Sequence, residues 1–293
     1  MVKKAFKPFK YVYLGLMLLF LYIPIIYLIV FSFNDFTFGR RVSYANLGVW
    51  NGFSLSNYKN LFVGEAGNAL LLTLEIAAIS SVLATVIGTA AAIGIYAMKK
   101  RSRNLILNVS QLPMVNPDLV TGITFMMLFA FVNGLLVRMG LAQIGDITKL
   151  VIAHVSFSIP YVIFSVMPRL RQSSDLLYEA AMDLGCSPMQ ALLKVVIPDI
   201  MPGITSGFIM ALTMSLDDFV ISYFVSDLKS VLSVYIFSCA RGARGVNPAL
   251  ATVIFIPLVT LLLIVNLRRL AKEREYEIQS KKVKMKDKGG NIK

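Results

Sequence analysis

Residues 175–202 read DLLYEAAMDLGCSPMQALLKVVIPDIMP. Asp175 is placed to cap a helix over Leu176–Leu184. Gly185 is the left-handed stop expected at its C-terminus. Ser187 then caps a second helix with Pro188 at its first position, and Gln190, three residues on, completes a capping box. Pro198 and Pro202 are expected to end that helix. Leu184, Met189, Leu192, Leu193 and Val196 give the pair an apolar face, while Glu179 and Asp183 stay polar. A connector with two caps and a glycine turn is a built element, and it sits between two long apolar runs.

Those runs extend along the whole chain. A bilayer core requires about 20 predominantly apolar residues per helix. Six segments meet this: Tyr11–Phe33, Ala69–Met98, Leu105–Val132, Leu141–Pro168, Gly203–Val225 and Leu250–Leu267. The third is interrupted by Pro113, Asn116, Pro117 and Asp118. Of 293 residues, 57% are hydrophobic and 15% charged, with a mean hydropathy of +0.71. Soluble domains average about 45–50% apolar and about 25% charged. A soluble globular protein, a disordered chain and a disulfide scaffold are therefore excluded. Cys186 and Cys239 lie in no metal-ligand spacing. The expected fold is an all-α polytopic membrane protein with six transmembrane helices.

The net charge is +13, in short basic clusters between the apolar runs. This pattern reads as membrane orientation rather than nucleic-acid binding. With the N-terminus inside, 21 of the 29 Lys and Arg fall on inner segments and eight on outer ones. Both termini inside agrees with an even number of spans. The first run, preceded by Lys3, Lys4, Lys7 and Lys10, is too long for a signal peptide and lacks a small-residue cleavage site; it reads as a retained anchor. Residues 1–10 are then a cytoplasmic N-terminus. Residues 269–293 are a basic cytoplasmic tail, expected to fray and be disordered at an anionic leaflet. Residues 34–68 lie outside, as a short lid or a docking surface.

Ionisable groups at membrane depth are costly and mark function by default. Asp217 and Asp218 in the fifth run, Asp118 in the third and Glu75 in the second have no Lys or Arg at similar depth. Adjacent carboxylates point about 100° apart on a helix. Asp217 and Asp218 therefore either line a cavity suited to a cation, cap an unwound turn, or stand at the outer mouth. Asn116-Pro117-Asp118 reads as a helix restart inside the membrane, with Asn116 as cap, Pro117 as first helical residue and Asp118 as second; Asp118 either lines a path or compensates the positive helix end. Glu75 reads as snorkelling to water. His154 reads as a hydrogen-bonded packing residue rather than a relay. Tyr161, Phe219, Tyr223 and Phe224 supply rings on which an ammonium group can stack.

The spacing Glu179-Ala180-Ala181, three residues, Gly185, nine residues, Val195-Val196-Ile197-Pro198 resembles the E-A-A-x3-G-x9-I-x-L-P loop of permease subunits of binding-protein-dependent ABC importers. It departs only in Val/Ile/Leu exchanges. The resemblance implies a MetI-like ABC importer permease fold over residues 11–268, with residues 169–200 as a cytoplasmic coupling helix in a groove of an ATPase. Glu179, Ala180, Ala181, Gly185 and Pro198 would form that coupling element. The chain has no G-x-x-x-x-G-K-[ST] phosphate loop, so ATP-Mg and its hydrolysis would belong to a partner ATPase dimer, and this chain would be non-catalytic. Ser215-Leu216-Asp217-Asp218-Phe219-Val220, Asn116–Val120 and Tyr22-Ile23-Pro24 with Ser32-Phe33-Asn34 resemble the branch of second permease subunits in spermidine/putrescine importers. That implies a paired homologous permease, an extracytoplasmic polyamine-binding protein and a place in the bacterial inner membrane. Asp217, Asp218, Asp118 and Tyr223 would line the substrate path. The same machine serving another solute, such as iron(III) or an amino acid, and an ATP-independent carrier are the alternatives.

Overall fold

The structure, a computed structural model, describes residues 2–35, 49–59, 61, 65–172, 175–226 and 231–241, and ten positions between 249 and 267. Among them the regular secondary structure is helical, with one isolated antiparallel bridge between Asn34 and Phe53. It divides into two units: residues 1–62 with 242–293, and residues 63–241.

In the first unit α1 (Val2–Phe31) is a continuous helix, with Phe20 84% exposed among other bare apolar side chains. The apolar part able to span a membrane is Val12–Phe31, close to the expected Tyr11–Phe33, and the helix extends beyond it to Val2. Beyond α1 a polar clip gathers Ser32, Asn34, Val49, Asn51 and Asn57. The Asn57 amide donates to the carbonyls of Ser32 and Asn34 at 2.9 and 2.8 Å. Asn34 in turn donates to the Val49 carbonyl and accepts from the Asn51 amide, both at 2.7 Å. Phe33 stacks on Phe53 at 5.5 Å, and α2 (Ser56–Lys59) follows. Most of the sixth expected span, Leu250–Leu267, and all of the tail 269–293 lie outside the described residues.

The second unit carries α3 (Glu65–Ala97), α4 (Lys100–Val115), α5 (Asp118–Arg138), α6 (Asp146–Gln172), α7 (Asp175–Asp183), α8 (Pro188–Ala191), α9 (Ile197–Asp217), α10 (Val220–Val225) and α11 (Leu232–Arg241). Five stretches among the described residues are long and apolar enough to cross a membrane: Val12–Phe31, α3, α5, α6 and Pro188–Asp217.

Three of these form the core. Without water between lipid-embedded helices, association depends on close backbone approach at small residues. A Cβ on Gly88 of α3 would come within 2.7 Å of Val162 of α6. On Gly203 and Gly207 of α9 it would come within 2.8 Å of Arg169 and 3.1 Å of Val162. Ala84, Ala92, Val162, Val166, Ile200 and Ala211 fill the resulting triangle. A second apolar cluster gathers Ile76, Phe129, Leu150, Ala153, Phe157 and Ile221. There α5 crosses α10 at Gly122, whose added Cβ would meet the Phe224 ring at 3.0 Å.

Two spans depart from the sequence reading. The third run, expected as Leu105–Val132, is two helices. The break falls where it was expected, at Asn116-Pro117-Asp118, but Asn116 ends α4 and Asp118 opens α5. Pro117 has no N–H to continue the first ladder and biases Asn116 to its extended ψ of 134°. The fifth run, expected as Gly203–Val225, stops at Asp217, turns through Asp218 and Phe219, and resumes as α10.

Candidate functional site

The element at 175–202 is built as its sequence implies, with two exceptions: Asp175, expected as a cap before the helix, is the first residue of α7, and the prolines do not stop the second helix. α7 ends at Asp183, and Gly185 has φ +88°. The Gly185 amide donates to Met182 O at 2.9 Å and the Cys186 amide to Ala181 O at 3.1 Å. This is the paired closure of a Schellman stop. Ser187 and Gln190 make the reciprocal capping box, at 3.1 and 3.4 Å. The second exception concerns the prolines. Pro198 and Pro202 do not end the second helix. α8 passes through a π-turn at Leu192–Val196 directly into α9, and Pro198 is the second residue of α9. A proline ring collides with the carbonyl four residues back in α-geometry; the wider π-turn lets the helix continue.

Of the coupling candidates, Glu179, Ala180, Gly185 and Pro198 are exposed and Ala181 is buried. The expected apolar face is largely bare: Leu184 is 87% exposed, Met189 63% and Leu193 54%. Beside it a groove of about 720 Å³ is walled by Tyr96, Leu170, Tyr178, Glu179, Met189 and Val196. The two helices thus present apolar side chains outward, the kind of exposed patch that protein interfaces use.

The other end of α9 carries the intramembrane acids, and the structure separates their roles. Asp217 is exposed. Asp218 turns inward, its side chain 7% exposed. Its carboxylate accepts from the amides of Ile221 and Ser222 at 3.2 and 2.8 Å and from the Ser222 hydroxyl at 2.7 Å. Asp218 thus caps α10 across the unwound turn, one of the alternatives open in the sequence. Ser233 donates to its carbonyl at 2.7 Å and ties α11 to the same turn.

His154, eight residues into α6 and 1% exposed, joins this turn to the core. Nδ1 lies 2.7 Å from Ser215 Oγ of α9, and Nε2 lies 3.0 Å from Ser222 Oγ of α10 and 3.5 Å from Asp218 Oδ2. Ser215 Oγ is 3.0 Å from Ser80 Oγ of α3. Since the Ser222 hydroxyl donates to Asp218, it accepts from Nε2–H, which leaves Nδ1 to accept from Ser215. The packing role read for His154 is therefore present. Ser80, Ser215 and Ser222 were not singled out in the sequence as its partners. The only local signal is Ser222, four residues after Asp218, the spacing of an acidic side chain reaching back into a new helix.

On the exposed side, Tyr223 is 45% exposed. It joins Phe219 at 5.6 Å, Phe237 at 6.0 Å and Phe224 at 5.5 Å, with Phe219 and Phe237 4.7 Å apart. Asp118 is exposed at the start of α5, one turn before the Gly122 crossing with α10. Glu75 is exposed on α3, within its apolar stretch. The described residues hold no cluster of His, Cys, Asp and Glu able to bind a metal ion.

Residues 84–273 match the model of binding-protein-dependent transport system inner membrane components. The chain is 34% identical over 242 residues to the spermidine/putrescine transport system permease protein PotC of Haemophilus influenzae, covering 81% of this chain and 87% of that protein. It is 35% identical over 280 residues to the putrescine transport system permease protein PotI of Escherichia coli K12, covering 93% and 95%. Among solved structures, a bacterial ABC transporter involved in import of the acidic polysaccharide alginate superimposes with a TM-score of 0.65 at 14% identity, over 90% of this chain and 96% of that one.

Proposed function

Because the chain belongs to the family of binding-protein-dependent transport system inner membrane components, we propose that it is a permease subunit of an ATP-driven polyamine importer. Its relatives serve spermidine and putrescine, and the exposed Asp118, Asp217 and Tyr223 suit a flexible chain of ammonium groups. Weak, spaced contacts let such a passenger leave as readily as it enters.

The observation that carries the mechanism is the capped pair α7–α8. Its left-handed Gly185 and bare Leu184 and Met189 fit a handle gripped by another protein. In this reading an ATPase dimer binds ATP-Mg and grips α7–α8 from the cytoplasm. Movement passes through the continuous Pro188–Asp217 rod as a rigid-body displacement. A homologous second permease completes the path, and an extracytoplasmic binding protein delivers the polyamine. Both termini of this chain are then cytoplasmic.

The test is affinity purification from membranes in mild detergent, with identification of what accompanies the chain. The expected result is an ATPase, a second permease and ATP turnover raised by polyamine-loaded binding protein. A chain that purifies alone and moves spermidine without ATP contradicts the proposal.

A further inference from the structure

The α9–α10 break has two neighbours that differ in kind. α9 is locked to α3 and α6 through Gly203, Gly207 and the packed triangle of small residues. α10 is locked to α5 at Gly122, where added bulk would meet the Phe224 ring and the Val220 carbonyl. The link between them is Asp218, extended at ψ 123°, and Phe219, whose carbonyl already accepts from the Tyr223 amide of α10 at 2.9 Å. An extended residue at the junction of two helices is a hinge unless side chains fix it.

One side chain bridges the two halves directly. His154 reaches Ser215 on α9 with Nδ1 and Ser222 on α10 with Nε2, and Asp218 Oδ2 lies 3.5 Å from Nε2. Ser80 extends the same chain of contacts to α3. Every member is buried or half-buried, and apolar clusters flank the set: Ala84, Val162 and Ala211 toward the rod, Ile76, Ala153 and Ile221 toward α10. In such surroundings an unpaired hydroxyl or carboxylate is costly, so the arrangement favours one angle of the hinge. The aromatic face formed by Phe219 and Tyr223 lies on the α10 side of this joint.

We propose that His154 is a positioning residue that sets the angle between α9 and α10, so that displacement of the rod reaches the Phe219–Tyr223 face. This inference rests on the transport reading. His154 touches no passenger; it holds one end of the hinge to the other with one donor and one acceptor. A glutamine carboxamide likewise offers a donating NH2 and an accepting oxygen on a short planar group, whereas alanine offers neither.

The experiment uses the assembled complex with wild type, His154→Ala and His154→Gln. It reads amide hydrogen exchange by mass spectrometry and spermidine uptake per ATP hydrolysed in proteoliposomes. His154→Ala is expected to raise exchange at least tenfold within residues 218–225, with the α6 and α9 amides unchanged. Uptake per ATP falls at least tenfold, and His154→Gln returns both to within threefold of wild type. Unchanged exchange at 218–225 in His154→Ala overturns the proposal. So does a rise spread through α6 and α9 that glutamine fails to reverse. If His154→Ala does not accumulate, Ser215→Ala and Ser222→Ala each remove one bridge, and the same local rise is required of both. A wild-type complex without polyamine uptake defeats the transport reading alone, because the exchange measurement still decides whether His154 fixes the hinge.

Discussion

Ser80 on α3 and Ser215 on α9 are 135 positions apart in the chain, and their hydroxyls lie 3.0 Å apart in the core. With His154 they place a polar seam between two apolar clusters. A seam of this kind fixes register between helices whose other contacts are non-directional. It sits where α9 ends and the acids begin.

Asp217 and Asp218 are adjacent, yet they are expected to fail differently. Asp218→Asn weakens a cap with three acceptor bonds, at a cost of about 1–3 kcal/mol. Thermal melting of the purified complex should drop. Asp217→Asn should leave melting unchanged and lower polyamine uptake, because its side chain is exposed. Equal melting losses in both variants would contradict this division.

Gly185 has open space around an added Cβ, so its φ of +88° is the whole constraint. Left-handed backbone costs an L-residue about 1–2 kcal/mol, and a β-branched one more. Uptake should fall in the order Gly185→Asn, Gly185→Ala, Gly185→Val, with membrane levels of the chain maintained. The check is ATPase co-purification and uptake across the series; a flat series would contradict it.

Glu179 is exposed on α7 at the edge of the groove. Glu179→Lys should abolish uptake and ATPase retention without changing the melting of the isolated chain. Normal ATPase retention in this variant would remove α7 from the coupling surface.

Gly88 and Gly94 lie on the same helix in different surroundings. A Cβ at Gly88 meets Val162 at 2.7 Å, while one at Gly94 meets nothing within 4 Å. Gly88→Ala should cost about 1–3 kcal/mol by overpacking. Gly94→Ala should be neutral or stabilise by up to about 1 kcal/mol through helix propensity. Detergent melting curves of the two variants decide it.

The coupling element was the most legible part of the sequence, because caps and glycine stops are local chemistry. Ser187, Gln190 and Gly185 act as their types and spacing imply. The restart at Asn116–Asp118 was legible for the same reason. The break after Asp217 was legible only as one alternative, a carboxylate capping an unwound turn, and could not be chosen from the sequence, because Phe219–Val225 continues the apolar run and hydropathy carries no backbone dihedrals. Nor were the serine partners of His154: a buried serine can satisfy itself on the carbonyl four residues back, as Ser80 does on Ile76 at 2.6 Å. Its second contact depends on which helix packs beside it. The π-turn before Pro198 was hidden because the proline itself reads as a stop.

The most direct test of the central claim is uptake of labelled spermidine into proteoliposomes holding the purified assembly and loaded binding protein. Uptake should require ATP inside the cytoplasmic compartment, stop when the partner ATPase cannot hydrolyse it, and be lost in Gly185→Val. Spermidine entry at the same rate without ATP, or undiminished entry in Gly185→Val, would contradict the account of this chain as a permease driven through its α7–α8 handle.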